Sequence, residues 1–172
     1  MTEPSLGAAA VLTVSDLASR GQRDDTAGPA VVALLRGAGF EAGPPDVLPD
    51  EQERIATWLR EQAAAAVALA VTVGGTGLSP RDRTPQATES VLDYRIDGIA
   101  EAMRAAHVPR LPVAMLSRAL AGVRGRTLIL NLPGSERGAR ENLEVVLPVL
   151  AHAVAQLRAE AEDASPPGTH GG

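Results

Sequence analysis

A buried strand that runs into a glycine loop constrains this chain more than any other stretch. The apolar run at residues 66–73 ends abruptly in Gly-Gly-Thr-Gly at 74–77. A short apolar run bounded by glycine is typical of a parallel strand that is buried on both faces. Further on, Thr84-Pro85 predicts a helix start with Thr84 as the N-cap. A strand, a glycine loop and a helix start together predict an anion-binding turn at the carboxyl end of the strand.

The loop matches no common phosphate-binding fingerprint. The P-loop pattern and the Gly-x-Gly-x-x-Gly pattern are both missing, and the chain contains no lysine. The Arg-Asp-Arg sequence at 81–83 places unlike charges where a plain turn needs none. We therefore favour an anionic ligand over a tight turn that uses glycine only for its geometry. The loop by itself does not name that ligand.

The bulk composition excludes several function classes. The chain has 172 residues, a length that suits one domain. Hydrophobic residues make up 45% of the chain and aromatic residues only 2%, so the core must be built from Ala, Val and Leu. The net charge of −5 disfavours nucleic acid and an anionic membrane surface as partners. No apolar stretch reaches about 18 residues, which predicts no membrane span and a cytoplasmic location. The absence of cysteine excludes disulfides and thiolate metal sites.

Strands and helices alternate along the chain. The predicted strands are 8–14, 46–49, 66–73, 113–117 and 127–132, with a hairpin-like excursion at 118–126. The predicted helices are 29–37, 50–65, 84–91, 96–108 and one that follows the N-cap Ser135, with a bend at Pro148. This alternation predicts a single-domain, three-layer α/β/α fold with a mostly parallel sheet. We expect a flexible leader at 1–7, the domain at 8–159 and a disordered tail at 160–172.

Three predicted strand ends carry polar or glycine-rich turns. These are Ser15-Asp16, the 74–77 loop and the segment 131–135. Ligands of open α/β sheets bind beyond the carboxyl ends of the strands, so the three turns predict one shared site. Ser15 and Asp16 fit ligand binding and local backbone capping equally well. Asp50 has the spacing of a helix N-cap and capping box.

The glycine loop also carries a family resemblance. Gly-Gly-Thr-Gly, followed by Arg-Asp-x-Thr-Pro-x-Ala-Thr, resembles the signature of the MogA/MoaB family of molybdenum cofactor biosynthesis proteins. The resemblance covers about residues 11–157. It also draws on Val-Ser-Asp at 14–16, Leu-Pro-Asp-Glu at 48–51, Leu-Ser-Arg at 116–118 and Asn-Leu-Pro-Gly-Ser at 131–135.

The resemblance implies a function and a set of site residues. Active relatives transfer AMP from ATP to molybdopterin with Mg²⁺ and release pyrophosphate. Two aspartates of those relatives match Asp50 and Asp82, which implies that both are catalytic and hold the metal; Asp82 has no obvious structural duty. The expected substrate-binding residues are Ser15, Asp16, Gly74, Gly75, Thr76, Gly77, Arg81, Ser117, Asn131, Pro133, Gly134 and Ser135. Three positions, Ala27, Gln86 and Glu136, depart from residues common in the family.

Other charged and titratable residues are expected outside the site. His107 and His152 are predicted on helices far from the motif segments. Arg118, Arg124 and Arg126 form a basic cluster that suits an exposed or intersubunit surface better than a nucleic-acid patch.

Two further functions stay open beside the adenylyltransferase. One is a molybdopterin-binding or assembly protein without activity, since some family members have lost catalysis; retention of Asp50 and Asp82 favours the enzyme. The other is a domain of a larger insertion or scaffolding protein, against which the short polar ends argue. The resemblance also implies a homotrimer or hexamer, and a molybdenum insertase as a further partner.

Overall fold

The computed structural model describes residues 5–163 of the chain. Within that range a sheet of seven strands carries helices on both faces. The strands are β1 (Gly7–Val14), β2 (Phe40–Ala42), β3 (Asp46–Leu48), β4 (Leu69–Val73), β5 (Tyr94–Arg95), β6 (Ala121–Arg124) and β7 (Thr127–Leu132). The helices are α1 (Asp16–Ser19), α2 (Ala27–Gly37), α3 (Gln52–Ala64), α4 (Thr84–Glu89), α5 (Asp97–His107), the 3-10 helix Pro112–Leu116 and α6 (Glu136–Asp163).

The sheet is parallel at its centre and antiparallel at one edge. The strand order is β2-β1-β4-β7-β6-β5, and β3 pairs with β1 on the same edge as β2, nearer the carboxyl end of β1. β1, β4 and β7 run parallel, whereas β6 and β5 pair antiparallel. The predicted three-layer α/β/α fold with a mostly parallel sheet is therefore confirmed.

The two faces of the sheet bury two hydrophobic clusters. Val71 and Leu130 pack towards α2, α5 and α6, whereas Ala70 and Ile129 pack towards α3 and α4. Each fully buried Leu or Ile side chain contributes roughly 1.5–3 kcal/mol. Because the central strands are covered on both sides, polar groups that bind a ligand are confined to the turns at the strand ends.

The strand predicted at residues 113–117 is wrong. Pro112 opens the 3-10 helix instead, and Val113 and Met115 are 61% and 60% exposed. Proline lacks the N–H that a central ladder needs. The place beside β7 belongs to β6, which forms a hairpin with β7 through Gly125, so the excursion predicted at 118–126 does contain a hairpin.

The boundaries of several elements differ from the predicted ones. β2 and β5 were not predicted because three and two residues are too short for a periodic pattern. α2 begins at Ala27, before Pro29, because the Asp25 carboxylate accepts the Gly28 N–H at 2.9 Å. At the ends, Gly7 already belongs to β1 and α6 continues past residue 159 to Asp163. Residues 1–4 and 164–172, which belong to the predicted leader and tail, lie outside the described residues.

α6 continues through Pro148 as one helix. The bend at Pro148 stays a prediction. None of the helices in residues 5–163 has both the length and the apolar character needed to cross a membrane.

Candidate functional site

The three predicted turns meet at one edge of the sheet. Val73 of β4 pairs with Thr13 of β1 and with Leu132 of β7. The Gly74 N–H then donates to the Leu132 carbonyl at 3.0 Å. A Cβ at Gly74 would collide with the Val14 carbonyl oxygen. The glycine loop (residues 74–77) therefore lies directly between the ends of β1 and β7, as the strand order requires.

Gly75 is held in place by the surrounding protein and has a positive φ of 68°. A Cβ at this position would collide with the Thr84 hydroxyl and lie 3.2 Å from Asp50 Oδ1. The Thr84 N–H also donates to the Gly75 carbonyl at 3.2 Å. Thr84 is thus the first residue of α4 and not its N-cap, a position that Arg83 holds. Glycine is needed at residue 75 by the fold itself, whatever ligand the loop binds.

Gly75→Ala is expected to destabilise the ligand-free protein. A positive φ costs an L-residue roughly 1–2 kcal/mol, and the contact with Thr84 and Asp50 adds to that cost. Gly125→Ala is a matched control, since Gly125 has a φ of 58° but nothing within 4 Å of its Cβ position. Urea denaturation should show a larger loss of unfolding free energy for Gly75→Ala. Equal losses would mean that the contacts at Gly75 relax without cost.

Asp50 and Asp16 are joined by two reciprocal hydrogen bonds. The Asp16 N–H donates to Asp50 Oδ2 at 3.0 Å, and the Asp50 N–H donates to Asp16 Oδ1 at 3.0 Å. The N-cap of α3 is Glu51, without a side-chain capping bond. The prediction that Asp50 caps this helix is therefore wrong, because its carboxylate accepts the Asp16 N–H at the start of α1 instead.

Arg81 covers the Asp16 carboxylate. Its Nε and Nη2 donate to Asp16 Oδ2 and Oδ1 at 2.9 and 2.7 Å. These bonds, together with the Asp50 N–H, lower the pKa of Asp16. The guanidinium is bound to a carboxylate of the protein, and its contact with a substrate stays a prediction.

The pKa of Asp50 is shifted in the opposite direction. Burial raises it, and the charges of Asp16 and Asp82 raise it further. A raised pKa stabilises the fold below the ordinary value near 3.8, and that stability is lost as pH rises through the folded pKa. Ionised Asp50 therefore carries a free-energy cost that a nearby cation would remove.

Asp82 lies against the other end of the glycine loop. A Cβ at Gly77 would lie 2.8 Å from Asp82 Oδ2, and the same oxygen accepts the Ser79 N–H at 3.1 Å. The sequence indicates no structural duty for Asp82, and this expectation is wrong. Its carboxylate organises the turn that it occupies.

The two aspartates fit a magnesium ion that also takes ligands from a substrate. Residues 5–163 contain no group of three His, Cys, Asp or Glu side chains that could hold a metal. Mg²⁺ is usually bound by one or two carboxylates together with phosphate oxygens and water. Asp50 and Asp82 supply that number, and the repulsion between them matches a site completed by a cation.

Arg118 binds the glycine loop through hydrogen bonds to backbone carbonyls. Its Nε donates to the Gly77 carbonyl at 2.8 Å and its Nη2 to the Asp82 carbonyl at 2.9 Å. Its own N–H donates to the Thr76 carbonyl at 2.9 Å. Arg118 is therefore not part of an exposed basic cluster, because its guanidinium donates to two backbone carbonyls. Arg124 likewise donates to the Val91 carbonyl at 2.8 Å. The intersubunit alternative stays a prediction.

A cavity of about 520 Å³ opens beside the glycine loop. Five predicted site residues line it: Thr76, Gly77, Ser117, Pro133 and Ser135. Apolar side chains from α5 and the 3-10 helix form one wall: Met103, Leu111, Val113 and Leu116. Arg104, Arg110 and Arg137 also line the cavity, with Glu141 as the single acidic residue of the lining. Arg110 and Arg137 both pair with Glu141, and Arg104 donates to two backbone carbonyls. The cavity therefore combines an apolar wall with a net positive charge in an acidic protein.

His107 also lines this cavity and is 8% exposed. The expectation that it lies far from the motif segments is wrong, because α5 packs against α6 and the 3-10 helix, and His107 shares the cavity lining with Gly77 and Ser135. Arg110 Nη2 lies 3.1 Å from His107 Nδ1. No pattern in the sequence marks His107 as a cavity residue.

A second depression of about 320 Å³ is lined by other residues, including Asp16, Arg81, Glu51 and Arg54. Neither depression is lined by Asp50 or Asp82 themselves. Asp50 bonds Asp16, which lines the smaller depression, whereas Asp82 contacts the loop that lines the larger cavity. The two aspartates therefore lie between the smaller depression and the larger cavity, on either side of the glycine loop.

Several predicted site residues perform structural work in the turns. Ser15 Oγ accepts the Ala18 N–H at 3.2 Å, and Ser135 Oγ caps α6 by accepting the Gly138 N–H at 3.0 Å. A Cβ at Gly134 would lie 3.3 Å from the Gly74 Cα, so these two turns pack backbone to backbone. The predicted N-cap at Ser135 is confirmed.

Asn131 is fully buried beneath the site. Its Oδ1 accepts the Leu120 N–H at 3.0 Å, and its Nδ2 donates to the Thr72 and Thr88 hydroxyls at 2.8 and 2.9 Å. The side chain has no surface to offer a substrate. It fixes β7, β4 and α4 relative to one another, and this role differs from the substrate contact that the resemblance implies.

The fold and these turns define an α/β protein with a candidate ligand site beyond the carboxyl ends of its central strands. A family model described as "Probable molybdopterin binding domain" matches residues 10–152. A molybdopterin adenylyltransferase from Helicobacter pylori is 38% identical over 149 residues, which cover 84% of each chain. Gephyrin of Dictyostelium discoideum is 38% identical over 166 residues, which cover 91% of this chain but only 23% of gephyrin. The chain thus spans most of the bacterial relative and less than a quarter of gephyrin.

Solved structures are similar over nearly the same range. The molybdopterin biosynthesis enzyme MoaB from Thermus thermophilus is 50% identical, with a TM-score of 0.84 over 89% of this chain and 97% of that one. A molybdopterin biosynthesis protein from Mycobacterium abscessus is 36% identical, with a TM-score of 0.86 over 91% of this chain and 99% of that one. The chain therefore belongs to the MogA/MoaB family, and the resemblance drawn from its motifs is confirmed.

Proposed function

We propose that this protein acts in molybdenum cofactor biosynthesis by transferring AMP from ATP to molybdopterin, with Mg²⁺, and releasing pyrophosphate. The observation that carries the proposal is the placement of Asp50 and Asp82 against the two ends of one glycine loop. The loop lies where three strand ends meet. Relatives named molybdopterin adenylyltransferase, at 37–38% identity, support this reaction.

The chemistry requires charge neutralisation more than proton transfer. A phosphate oxygen of molybdopterin bonds to the α-phosphorus of ATP, and the bond from that phosphorus to the bridging oxygen breaks. Pyrophosphate leaves with the electron pair. The attacking phosphate is already anionic, so no strong general base is needed. Positioning and electrostatic stabilisation then supply most of the rate.

The residues of the site divide this work. Asp50 and Asp82 would hold Mg²⁺, which supplies positive charge next to the triphosphate when bound. Arg81 and the loop N–H groups are suited to donate to phosphate oxygens, since these donors bind anions without a lysine. Asp16 and Asn131 keep this arrangement in place.

The larger cavity suits a substrate that joins a flat ring to a phosphate. Its volume of about 520 Å³ lies in the ordinary range for small-molecule sites. Met103, Leu111 and Leu116 can pack against a heterocycle, and the arginines of the lining favour an anion. Both molybdopterin and ATP have this chemistry, and the proposed contacts of Thr76 and Ser117 follow from their place in the lining.

A second candidate function is that of a binding or assembly protein without catalysis. The observation that favours it is the structural use of both carboxylates, which accept backbone N–H groups from Asp16 and Ser79. Carboxylates with such duties can be kept in a protein that has no activity. The match to gephyrin covers only 23% of that protein, so a similar domain also occurs within a longer chain.

The test is to incubate the protein with ATP, Mg²⁺ and molybdopterin and to measure pyrophosphate. We expect release only when all three are present. Retention of molybdopterin by the protein without pyrophosphate release would support the second function instead.

We also propose a homotrimer or a dimer of trimers, following the family resemblance. Met115 of the 3-10 helix is 60% exposed and does not line the larger cavity, and contact between copies would cover it. Light scattering is expected to give a multiple of three times the chain mass of 17.7 kDa. A stable monomer at micromolar concentration would contradict this prediction. A molybdenum insertase as partner and a cytoplasmic location also stay proposals.

A further inference from the structure

Asp16 has contacts that differ from those of a substrate-binding residue. We propose that Asp16 is a positioning residue, which fixes the Asp50 carboxylate beside the glycine loop and holds Arg81 next to it. The inference rests on the proposed function for its effect on turnover, but its structural part can be tested without turnover.

The first observation is the reciprocal pair of hydrogen bonds between Asp16 and Asp50. The chain segments just before the two aspartates are also hydrogen-bonded to each other, since the Ser15 N–H donates to the Leu48 carbonyl at 2.9 Å. The two bonds between the aspartates are 3.0 Å long and join positions 34 residues apart. The Asp50 carboxylate cannot rotate without losing its bond to the Asp16 N–H. Hydrogen bonds with a charged partner are stronger than those between neutral groups, so this orientation is well defined.

The second observation is that Asp16 has little capacity left for a ligand. Oδ1 accepts both the Asp50 N–H and Arg81 Nη2, and Oδ2 accepts Arg81 Nε. A carboxylate has about four acceptor positions, and three of them are in use here. An ionised Asp16 is also repelled by phosphate and has no proton to donate to it. Direct contact with either anionic substrate is therefore unfavourable.

The third observation concerns Arg81, whose side chain is 58% exposed. Only its Nε and Nη2 bond Asp16, whereas a guanidinium has five N–H donors. Arg81 can therefore stay anchored on Asp16 and still donate to a phosphate. Asp16 thus holds the Asp50 carboxylate through its backbone N–H, and it holds the Arg81 guanidinium through its own carboxylate.

Asp16→Ala keeps the backbone N–H that donates to the Asp50 carboxylate, but it removes the carboxylate that accepts the Asp50 N–H and Arg81. Asp16→Asn keeps one oxygen that can accept the Asp50 N–H. The matched control is Asp97→Ala. Asp97 Oδ1 accepts Arg95 Nε at 2.9 Å in an exposed Asp–Arg pair that has no contact with the site. A general effect of losing an aspartate–arginine pair would appear in both alanine variants.

The structural test is an NMR comparison of the ligand-free proteins after ¹⁵N labelling. Replacing the Asp16 carboxylate should move the amide proton signal of Asp50 upfield, further in Asp16→Ala than in Asp16→Asn, and leave it unchanged in Asp97→Ala. If the alanine variant does not fold, the shift in Asp16→Asn decides. An Asp50 amide signal that is the same in the parent and in the folded Asp16 variants would overturn the proposal.

The functional test is a magnesium titration of adenylyl transfer. Loss of a residue that orients a metal ligand typically weakens metal binding 10- to 100-fold. We expect the half-saturating magnesium concentration to rise by about tenfold or more in Asp16→Ala, by less in Asp16→Asn, and not in Asp97→Ala. A higher KM for molybdopterin or ATP with an unchanged magnesium titration would show that Asp16 contacts substrate, and would overturn the positioning role. If the parent has no turnover, the proposed function fails, and the NMR comparison still decides whether Asp16 positions Asp50.

Discussion

Asp82→Asn is expected to lower adenylyl transfer by roughly 100- to 1000-fold while the fold stays intact. The loss follows from the removal of one of two carboxylates that can hold magnesium, which leaves charge at the reacting phosphate uncompensated. The fold is kept because an asparagine oxygen can still accept the Ser79 N–H that Asp82 Oδ2 accepts at 3.1 Å. Steady-state turnover and the melting temperature, measured on the same preparation, separate the two effects.

Asp93→Asn is a suitable control for this variant. Asp93 Oδ2 also accepts a backbone N–H, from Gly125 at 2.7 Å, and it lies in an exposed turn outside the site. We expect parental turnover and a similar melting temperature for Asp93→Asn. If Asp82→Asn also keeps parental turnover at limiting magnesium, Asp82 serves only the turn.

Asn131→Ala is expected to cost roughly 2–4 kcal/mol of unfolding free energy. The substitution leaves the Leu120 N–H and the Thr72 and Thr88 hydroxyls without their partner inside the core. An unpaired buried polar group costs roughly 1–3 kcal/mol, and a cavity adds to that cost. Urea denaturation of the ligand-free protein measures the change.

Asn142→Ala is the control for Asn131→Ala. Asn142 Nδ2 donates to the Gly138 carbonyl, at 2.8 Å, in a half-buried position on α6. Its loss should cost about 1 kcal/mol or less. An Asn131→Ala protein that is as stable as the parent but has lost substrate binding would restore Asn131 as a substrate contact. Loss of stability with parental affinity for substrate would support the scaffold role.

The central part of the fold could be predicted because its strands are apolar on both faces. The runs at 8–14, 66–73 and 127–132 leave no alternative to a buried parallel sheet. Parallel pairing then brings the turns after these strands to one edge, and this is why the site location could also be predicted. The segment 113–117 misleads because its apolar side chains are exposed on a 3-10 helix, a state that composition alone does not reveal.

Contacts within the site could not be predicted, because they join residues far apart in the sequence. Asp50 has the local pattern of an N-cap, yet its carboxylate bonds Asp16, 34 residues away. The same holds for Arg118, whose guanidinium donates to the Gly77 carbonyl, 41 residues away, a contact that only the fold reveals. The placement of His107 beside the cavity depends on how α5 packs. Local patterns locate turns and helices, whereas such pairings require the tertiary structure.

The central claim is that Asp50 and Asp82 serve magnesium-dependent adenylyl transfer. Its most direct test is mass spectrometry of the adenylylated molybdopterin formed by the parent, Asp50→Asn and Asp82→Asn across a magnesium titration. Asp50→Asn keeps an acceptor for the Asp16 N–H, so a loss of product reports the missing charge. We predict product from the parent and a large loss in both variants, greatest at limiting magnesium. No product from the parent at saturating substrates, or parental turnover by both variants at limiting magnesium, would contradict the claim.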